Sequence, residues 1–197
     1  MSIIREHNIT LYGKNDVVLK PLTDEHLPML YQWNSDIEVL YWSEGDDVVE
    51  PYDKVTVDLI YGRVSQNAFC FLIEKENLPV GECWLQKMNI SSISDRYPKE
   101  VDIRRIDYCI GAKEYWGKGI GTECLRMLVE FAFDGQNTDI LYIMPYDYNI
   151  KSIRMIERAG FQLEEKKPVP DSKKAKYELL YKMTRDEYKK IEEQQGV

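Results

Sequence analysis

Residues 114–131 read EYWGKGIGTECLRMLVEF: Gly117, Gly119 and Gly121 alternate with other residues directly ahead of an amphipathic run. Ile120, Cys124, Leu125, Leu128, Phe131 and Ala132 fall on one stripe of a helix running to about residue 133, so the glycines stand at a helix N-terminus. The preceding run VDIRRIDYCIG (101–111) reads as a strand. Strand, glycine turn and helix start together make an anion site. The first helical N–H groups lack an internal acceptor, the macrodipole adds partial positive charge, and glycine lets a ligand approach the backbone. A tight turn without a ligand is the other reading of the glycines alone. The spacing is not the dinucleotide fingerprint G-x-G-x-x-G, and no G-K-[ST] completes a Walker A loop.

Around this stretch the chain alternates strands and helices. DVVLKPL (16–22) reads as a strand and 23–34 as a short helix capped by Thr23 or Asp24. The aromatic and acidic stretch 35–53 reads as a loop, and 53–65 as a helix with Val57, Ile60, Tyr61 and Val64 at helical spacing. Two strands in 68–90 flank a turn at Asn77-Leu78-Pro79, and SSISDRYPKE reads as a polar connector. DILYIM (139–144) is a short buried strand, and 149–160 a helix with Ile153 and Ile156 on one face and Gly160 at its C′ position. Strands at 161–167 and 175–183 flank the loop KPVPDSKK, and Thr184 to Glu187 form a capping box for a last helix, 184–195. This order is that of an α/β chain with a mixed sheet, and 197 residues fit a single domain with its core in 16–183. The Lys- and Glu-rich last helix reads as a solvated appendage, with a dimer contact as the alternative, so monomer and homodimer both stay open.

Several classes of chemistry are excluded by supply. The only histidines are His7 and His26, neither beside a nucleophile elbow, so a Ser-His or Cys-His pair and a histidine metal site are poorly provided for. Cys70, Cys83, Cys109 and Cys124 are widely spaced in apolar stretches and read as buried thiols, with no disulfide framework and no metal. Acidic residues outnumber basic ones, 34 to 26, so the net charge of −8 repels phosphate backbones; no nucleic-acid partner is expected. The same field draws in a cationic small molecule or peptide. No apolar run of 18 residues and no signal-like N-terminus is present, so a cytoplasmic chain without a membrane partner is expected.

A second motif narrows the reading. NIKSIRMIERAGF (149–161) follows the glycine stretch after one buried strand, with Asn149 at the helix entrance. Together these residues resemble the GNAT superfamily of N-acetyltransferases. Its signature is a Q/R-x-x-G-x-G/A loop, then a strand and a helix beginning N-x-x-[SA]-x-x-[LFY]-[YF]-x-x-x-G-F. MLYQWNSDIEVLYW, RRIDYCIG, YWGKGIGTECLRMLVEF and PVPDSKKAKYELLYKMTR further resemble the aminoglycoside 6'-N-acetyltransferase branch.

The resemblance implies a GNAT fold, a mixed central sheet with splayed parallel strands flanked by helices, and transfer of an acetyl group from acetyl-CoA to a primary amine. It implies that pantetheine pairs with the edge at Cys109, Ile110 and Gly111. It also implies that Gly117, Lys118, Gly119, Ile120, Gly121 and Thr122 hold the pyrophosphate, with Asn149 among the CoA-binding residues. Asp107 matches the branch's base or amine anchor, against a structural pairing with Arg104 or Arg105. Trp42 and Asp171 match its substrate contacts, and Glu44, Asp46, Asp47 and Tyr41 lie in the same loops. Three positions depart: Trp116 stands for Gln or Arg, Ile156 for a tyrosine, and Met144 for an aspartate. The expected acceptor is an aminoglycoside. A polyamine or peptide N-terminal amine, and a CoA-binding module without turnover, are the alternatives.

Overall fold

The computed structural model describes residues 2–45, 48 and 50–195. The first half runs β1 (Leu11–Tyr12), β2 (Val17–Pro21), a 3-10 turn, α1 (Leu27–Asn34), α2 (Ile37–Ser43) and α3 (Lys54–Val64). A hairpin, β3 (Ala68–Lys75) and β4 (Leu78–Lys87), leads through α4 (Ser91–Ser94) to β5 (Ile103–Cys109). Then come α5 (Ile120–Glu130), a π-helical turn (Phe131–Gly135), β6 (Ile140–Ile143), α6 (Ile150–Arg158), β7 (Gln162–Pro168), β8 (Tyr177–Thr184) and α7 (Arg185–Gln195). The strands form one sheet in the order β1-β2-β3-β4-β5-β6-β8-β7. Among them only β5 and β6 are parallel neighbours.

Alternation along the central strands sorts side chains onto two faces. Cys83, Leu85 and Ile106 face α5 and α6, packing with Ile120, Cys124, Leu125, Leu128 and Ile156. Cys70, Leu72 and Trp84 face α1 and α3, against Leu30, Trp33, Val57 and Tyr61. The register sets Glu82 opposite Cys109, Trp84 opposite Asp107, and Gln86 opposite Arg105. All six therefore share the face covered by α1 and α3.

The parallel pairing is short. β5 meets β6 only at Ile103, Arg104 and Arg105, while on its other side it stays paired with β4 out to Cys109. Beyond Arg105 the two parallel strands part, as the resemblance implied, and the outer half of β5 has a neighbour on one side only.

Four local expectations are corrected. The stretch 35–53 contains α2: the Asp36 carboxylate accepts the N–H groups of Glu38 and Val39 at 3.0 and 3.4 Å, and Val39 and Leu40 are buried. Of the two expected caps Thr23 takes the N-cap position, ahead of the 3-10 turn, and Asp24 does not. Its carboxylate accepts from the N–H groups of Ile3 and Ile4 at 2.9 and 2.8 Å and ties the N-terminal arm down. The β3–β4 turn is Glu76-Asn77, with φ of +54° and +62°, one residue ahead of the expected place. The connector holds α4, whose Ile93 is fully buried.

The last helix is packed rather than solvated. Tyr188 is buried and stacks on Phe133 at 4.8 Å, and Arg185 donates to the carbonyl of Phe133 at 2.9 Å. Its capping box forms as read: Glu187 Oε2 accepts the Thr184 N–H at 2.7 Å, and Thr184 Oγ1 accepts the Glu187 N–H at 3.3 Å. Thr184→Ala should destabilise the chain by about 1 kcal/mol, lowering Tm in a calorimetric scan by roughly 2–4 °C. An unchanged Tm would show that packing of Tyr188 holds α7 without its cap.

Candidate active site

The glycine loop has the expected form. A 3-10 turn, Lys113–Tyr115, brings the chain off β5, and Gly117 and Gly119 follow with φ of +75° and +81°. Both lie in the left-handed region that favours glycine, and a Cβ at either would meet nothing within 4 Å. The space over the loop is open. Gly119 is the N-cap of α5, and the first helical bond runs from the Glu123 N–H to the Gly119 carbonyl. The N–H groups of Ile120, Gly121 and Thr122 therefore have no acceptor within the helix. Gly121 differs from its two neighbours: its backbone is ordinary, and an added Cβ would only touch Tyr108 and Met155 at 3.4 and 3.5 Å.

The edge at Cys109, Ile110 and Gly111 is held from both sides. Trp116, in the position that departs from the GNAT signature, donates its indole N–H to the Ile110 carbonyl at 2.6 Å. Trp33 of α1 lies so close over Gly111 that a Cβ there would fall 2.2 Å from its ring. Gly111 is bare because α1 packs on it.

Asp107 projects from the outer half of β5 with 37% of its side chain exposed. Of the two expected arginine partners it takes Arg105, whose Nε lies 2.9 Å from Oδ2. That oxygen is buried and accepts no hydrogen bond, the Arg105 Nε–H being donated to Gln86 Oε1 at 3.1 Å. Arg104 instead pairs with Asp102 at 2.7 Å. Burial pushes the Asp107 carboxyl above its ordinary value, and the Arg105 charge opposes the shift.

Beside it stands Glu82, which the sequence reading did not single out. It is 5% exposed at the floor of a cleft lined by Trp33, Asn34, Leu40, Tyr61, Trp84 and Cys109, with Ser43 and Glu44 at the end of α2. The Trp84 indole N–H donates to its Oε2, and no ion pair reaches it among the described residues. Burial pushes its carboxyl up to about 8; the Trp84 hydrogen bond opposes this, and the Glu44 and Asp107 charges add to it. Glu178 on β8 is also pushed up by burial and lies within electrostatic reach of Asp107.

Other expected residues divide. The amide of Asn149 works inside the fold, accepting the Ser152 N–H at 3.2 Å and donating to the Trp42 carbonyl at 3.5 Å. Trp42, 40% exposed, ends α2 edge-on to Tyr41 at 5.0 Å. Asp171 is exposed in the β7–β8 loop, and no described hydrogen bond or ion pair joins it to Asp107 or Trp42. The same loop reaches α2 through Lys174, whose Nζ lies over Tyr41, Tyr148 and Trp42 at 4.5, 4.7 and 5.5 Å from the ring centres. Each such contact at an exposed position is worth about 0.5–1 kcal/mol. Asp46 and Asp47 lie outside the described residues. Ile156, at the position where the resemblance implied a tyrosine, is fully buried in the core. One turn earlier on α6, Ser152 bonds the Tyr108 hydroxyl at 3.0 Å.

A family model described as an acetyltransferase (GNAT) domain matches residues 16–162. The chain belongs to the GNAT acetyltransferase family. It is 25% identical over 177 residues to aminoglycoside N(6')-acetyltransferase type 1 of Klebsiella pneumoniae, covering 85% of each chain. It is 27% identical over 154 residues to spermidine N(1)-acetyltransferase of Escherichia coli K12, covering 76% of this chain and 75% of that one. Its fold matches the crystal structure of aminoglycoside acetyltransferase AAC(6')-Ib in complex with coenzyme A, with a TM-score of 0.73 at 21% identity over 88% of this chain and 98% of that one. This GNAT chain is an acyl-CoA-dependent N-acetyltransferase with acetyl-CoA as cosubstrate. Its own geometry fits that cosubstrate, since the space over Gly117 and Gly119 is open and β5 has a free edge beyond Arg105. No helix among the described residues is long and apolar enough to cross a membrane.

The acetyltransferase's buried carboxyl makes a pH prediction. Between the ordinary glutamate value and about 8, the unfolded chain ionises Glu82 while the folded chain keeps its proton. The unfolded state then binds fewer protons, so stability falls as pH rises, by at most about 1.4 kcal/mol per pH unit, and levels off above that window. Urea melts of Glu82→Gln between about pH 5 and 8 should show a flatter slope than wild type. An identical slope would assign the titration to another group.

Proposed function

We infer that this acetyltransferase acts on a primary amine of a polycationic small molecule, with the 6'-amine of an aminoglycoside as the first candidate. The observation that carries this reading is the placing of Glu82 on β4 and Asp107 on β5 on one face of the sheet, with Glu82 and Glu44 lining a cleft walled by Trp33, Tyr61 and Trp84. An ammonium entering that cleft supplies the positive charge beside which Glu82 can ionise, a partner no described ion pair gives it. The activity of the Klebsiella relative favours an aminoglycoside; that of the Escherichia coli relative favours a polyamine.

Acetyl-CoA, when bound, supplies a thioester-activated acetyl group. Lys118, Gly119, Ile120, Gly121 and Thr122 offer backbone N–H groups and a helix dipole to its pyrophosphate, and the free edge of β5 offers main-chain partners to the pantetheine. Asp107 orients the acceptor's ammonium and takes its proton on a carboxylate oxygen, leaving the nitrogen lone pair free to attack. A positioned base of this kind contributes about 10²–10⁴-fold. Ile156 has no proton to give, so the departing sulfur takes one from solvent.

Thiol release from acetyl-CoA with kanamycin, spermidine and a short peptide tests the reading. Turnover is expected with kanamycin, and Asp107→Asn should lower kcat by about 10²–10⁴-fold with CoA binding kept. Turnover with spermidine alone would move the assignment to polyamines, and silence with all three amines would overturn it. Gly119→Val, which forces a β-branched residue into a left-handed position, should raise KM for acetyl-CoA more than KM for the amine. Equal effects on both would remove the loop from cosubstrate binding.

A further inference from the structure

Three aromatic rings from two separate elements converge on one ammonium. Tyr41 and Trp42 come from the last turn of α2, and Tyr148 from the segment just before α6. The Tyr148 hydroxyl donates to the Tyr41 carbonyl at 2.8 Å, and Tyr146 stacks on Tyr148 at 5.9 Å, so the rings are set by the fold. Their occupant comes from elsewhere. Lys174 enters from the β7–β8 loop, remains exposed, and makes no ion pair among the described residues. Among the described residues only electron-rich ring faces hold its charge, and its four-carbon stem keeps many competing rotamers. A lysine so placed is easily displaced.

The cage also adjoins the cleft. Ser43 and Glu44, the next residues of the same segment, line the cleft above Glu82. Tyr41 and Glu44 are three residues apart, roughly 4.5 Å along a helix axis. A ligand with one amine in the cleft and another a few atoms away spans both places.

We propose that Tyr41, Trp42 and Tyr148 form a second cation subsite, which takes an ammonium group of the acceptor other than the one acetylated, and that Lys174 is its displaceable internal occupant. This rests on the polycationic acceptor inferred above. The loop lysine competes with the ligand, so the apparent dissociation constant is the intrinsic one divided by the fraction of time the cage is empty.

Calorimetric titration of the full chain, with CoA present, tests this using kanamycin, spermidine and the simple cage probe tetramethylammonium. Lys174→Ala should tighten kanamycin or spermidine about 2–10-fold. Tyr148→Leu should weaken them and cancel that gain in the double variant, whereas Tyr148→Phe, which keeps the ring, should retain affinity. If Lys174→Ala leaves both polycations unchanged or weakens them, the lysine is a structural cross-link and the proposal fails. If Tyr148→Leu and Tyr148→Phe weaken them equally, the hydroxyl rather than the ring matters, and the proposal fails likewise. Tetramethylammonium binding to Lys174→Ala, lost in the Tyr148→Leu double variant, with no amine turned over by wild type, would uphold the cation cage and overturn the acceptor reading instead.

Discussion

The parting of β5 from β6 after Arg105 is the constraint on which the rest depends. A buried strand ordinarily satisfies its backbone on both sides, and β5 does so for its first three residues only. Its outer half keeps full pairing with β4, which fixes the register and so sets Glu82, Trp84, Cys109 and Asp107 on one face. Had β6 continued alongside, the sheet would close and β5 would have no free edge here. The opening is kept from collapsing by its borders. Trp33 packs on Gly111, and the Trp116 indole takes the Ile110 carbonyl, so the strand end is rigid although it lacks a second neighbour.

Charge then divides the opening into two halves. On the α5 side, unsatisfied N–H groups and the helix dipole favour an anion. On the α1–α3 side, carboxyls accumulate with few compensating cations: Asp107 has Arg105, and Glu82 has an indole N–H. On the proposed reading, an anionic cosubstrate and a cationic acceptor are drawn to opposite faces of one strand and meet where its edge is free.

Much of this was legible in the sequence because it is local. Alternating glycines before an apolar stripe specify a helix start, and the structure uses Gly117 and Gly119 for left-handed backbone. The Thr184 capping box and the C′ glycine at 160 are likewise short-range signals. What escaped was long-range. α2 was hidden because Ile37 to Ser43 mixes aromatic and acidic residues without a clean stripe, although Asp36 is an ordinary N-cap signal. Glu82 alternates with Cys83 in a strand, a pattern that reads as a solvent-facing position until α1 and α3 are seen to cover it. Tyr41 and Trp42 lie more than a hundred residues from Tyr148 and Lys174, and no periodicity links them. The packed last helix was missed because its apolar residues are few: Tyr188 and Ile191 are enough, against Phe133 and Gly160.

Glu82 has a consequence for anyone altering this chain. A carboxyl sealed under aromatic rings burdens the fold at every moment, whereas its use arises only when a ligand arrives. Replacing it with an uncharged residue of similar size removes that burden, so a screen for heat resistance alone would enrich such replacements early. The sturdier descendants would keep their sheet and their glycine loop, and on the proposed reading would lose the carboxyl that meets the acceptor's ammonium.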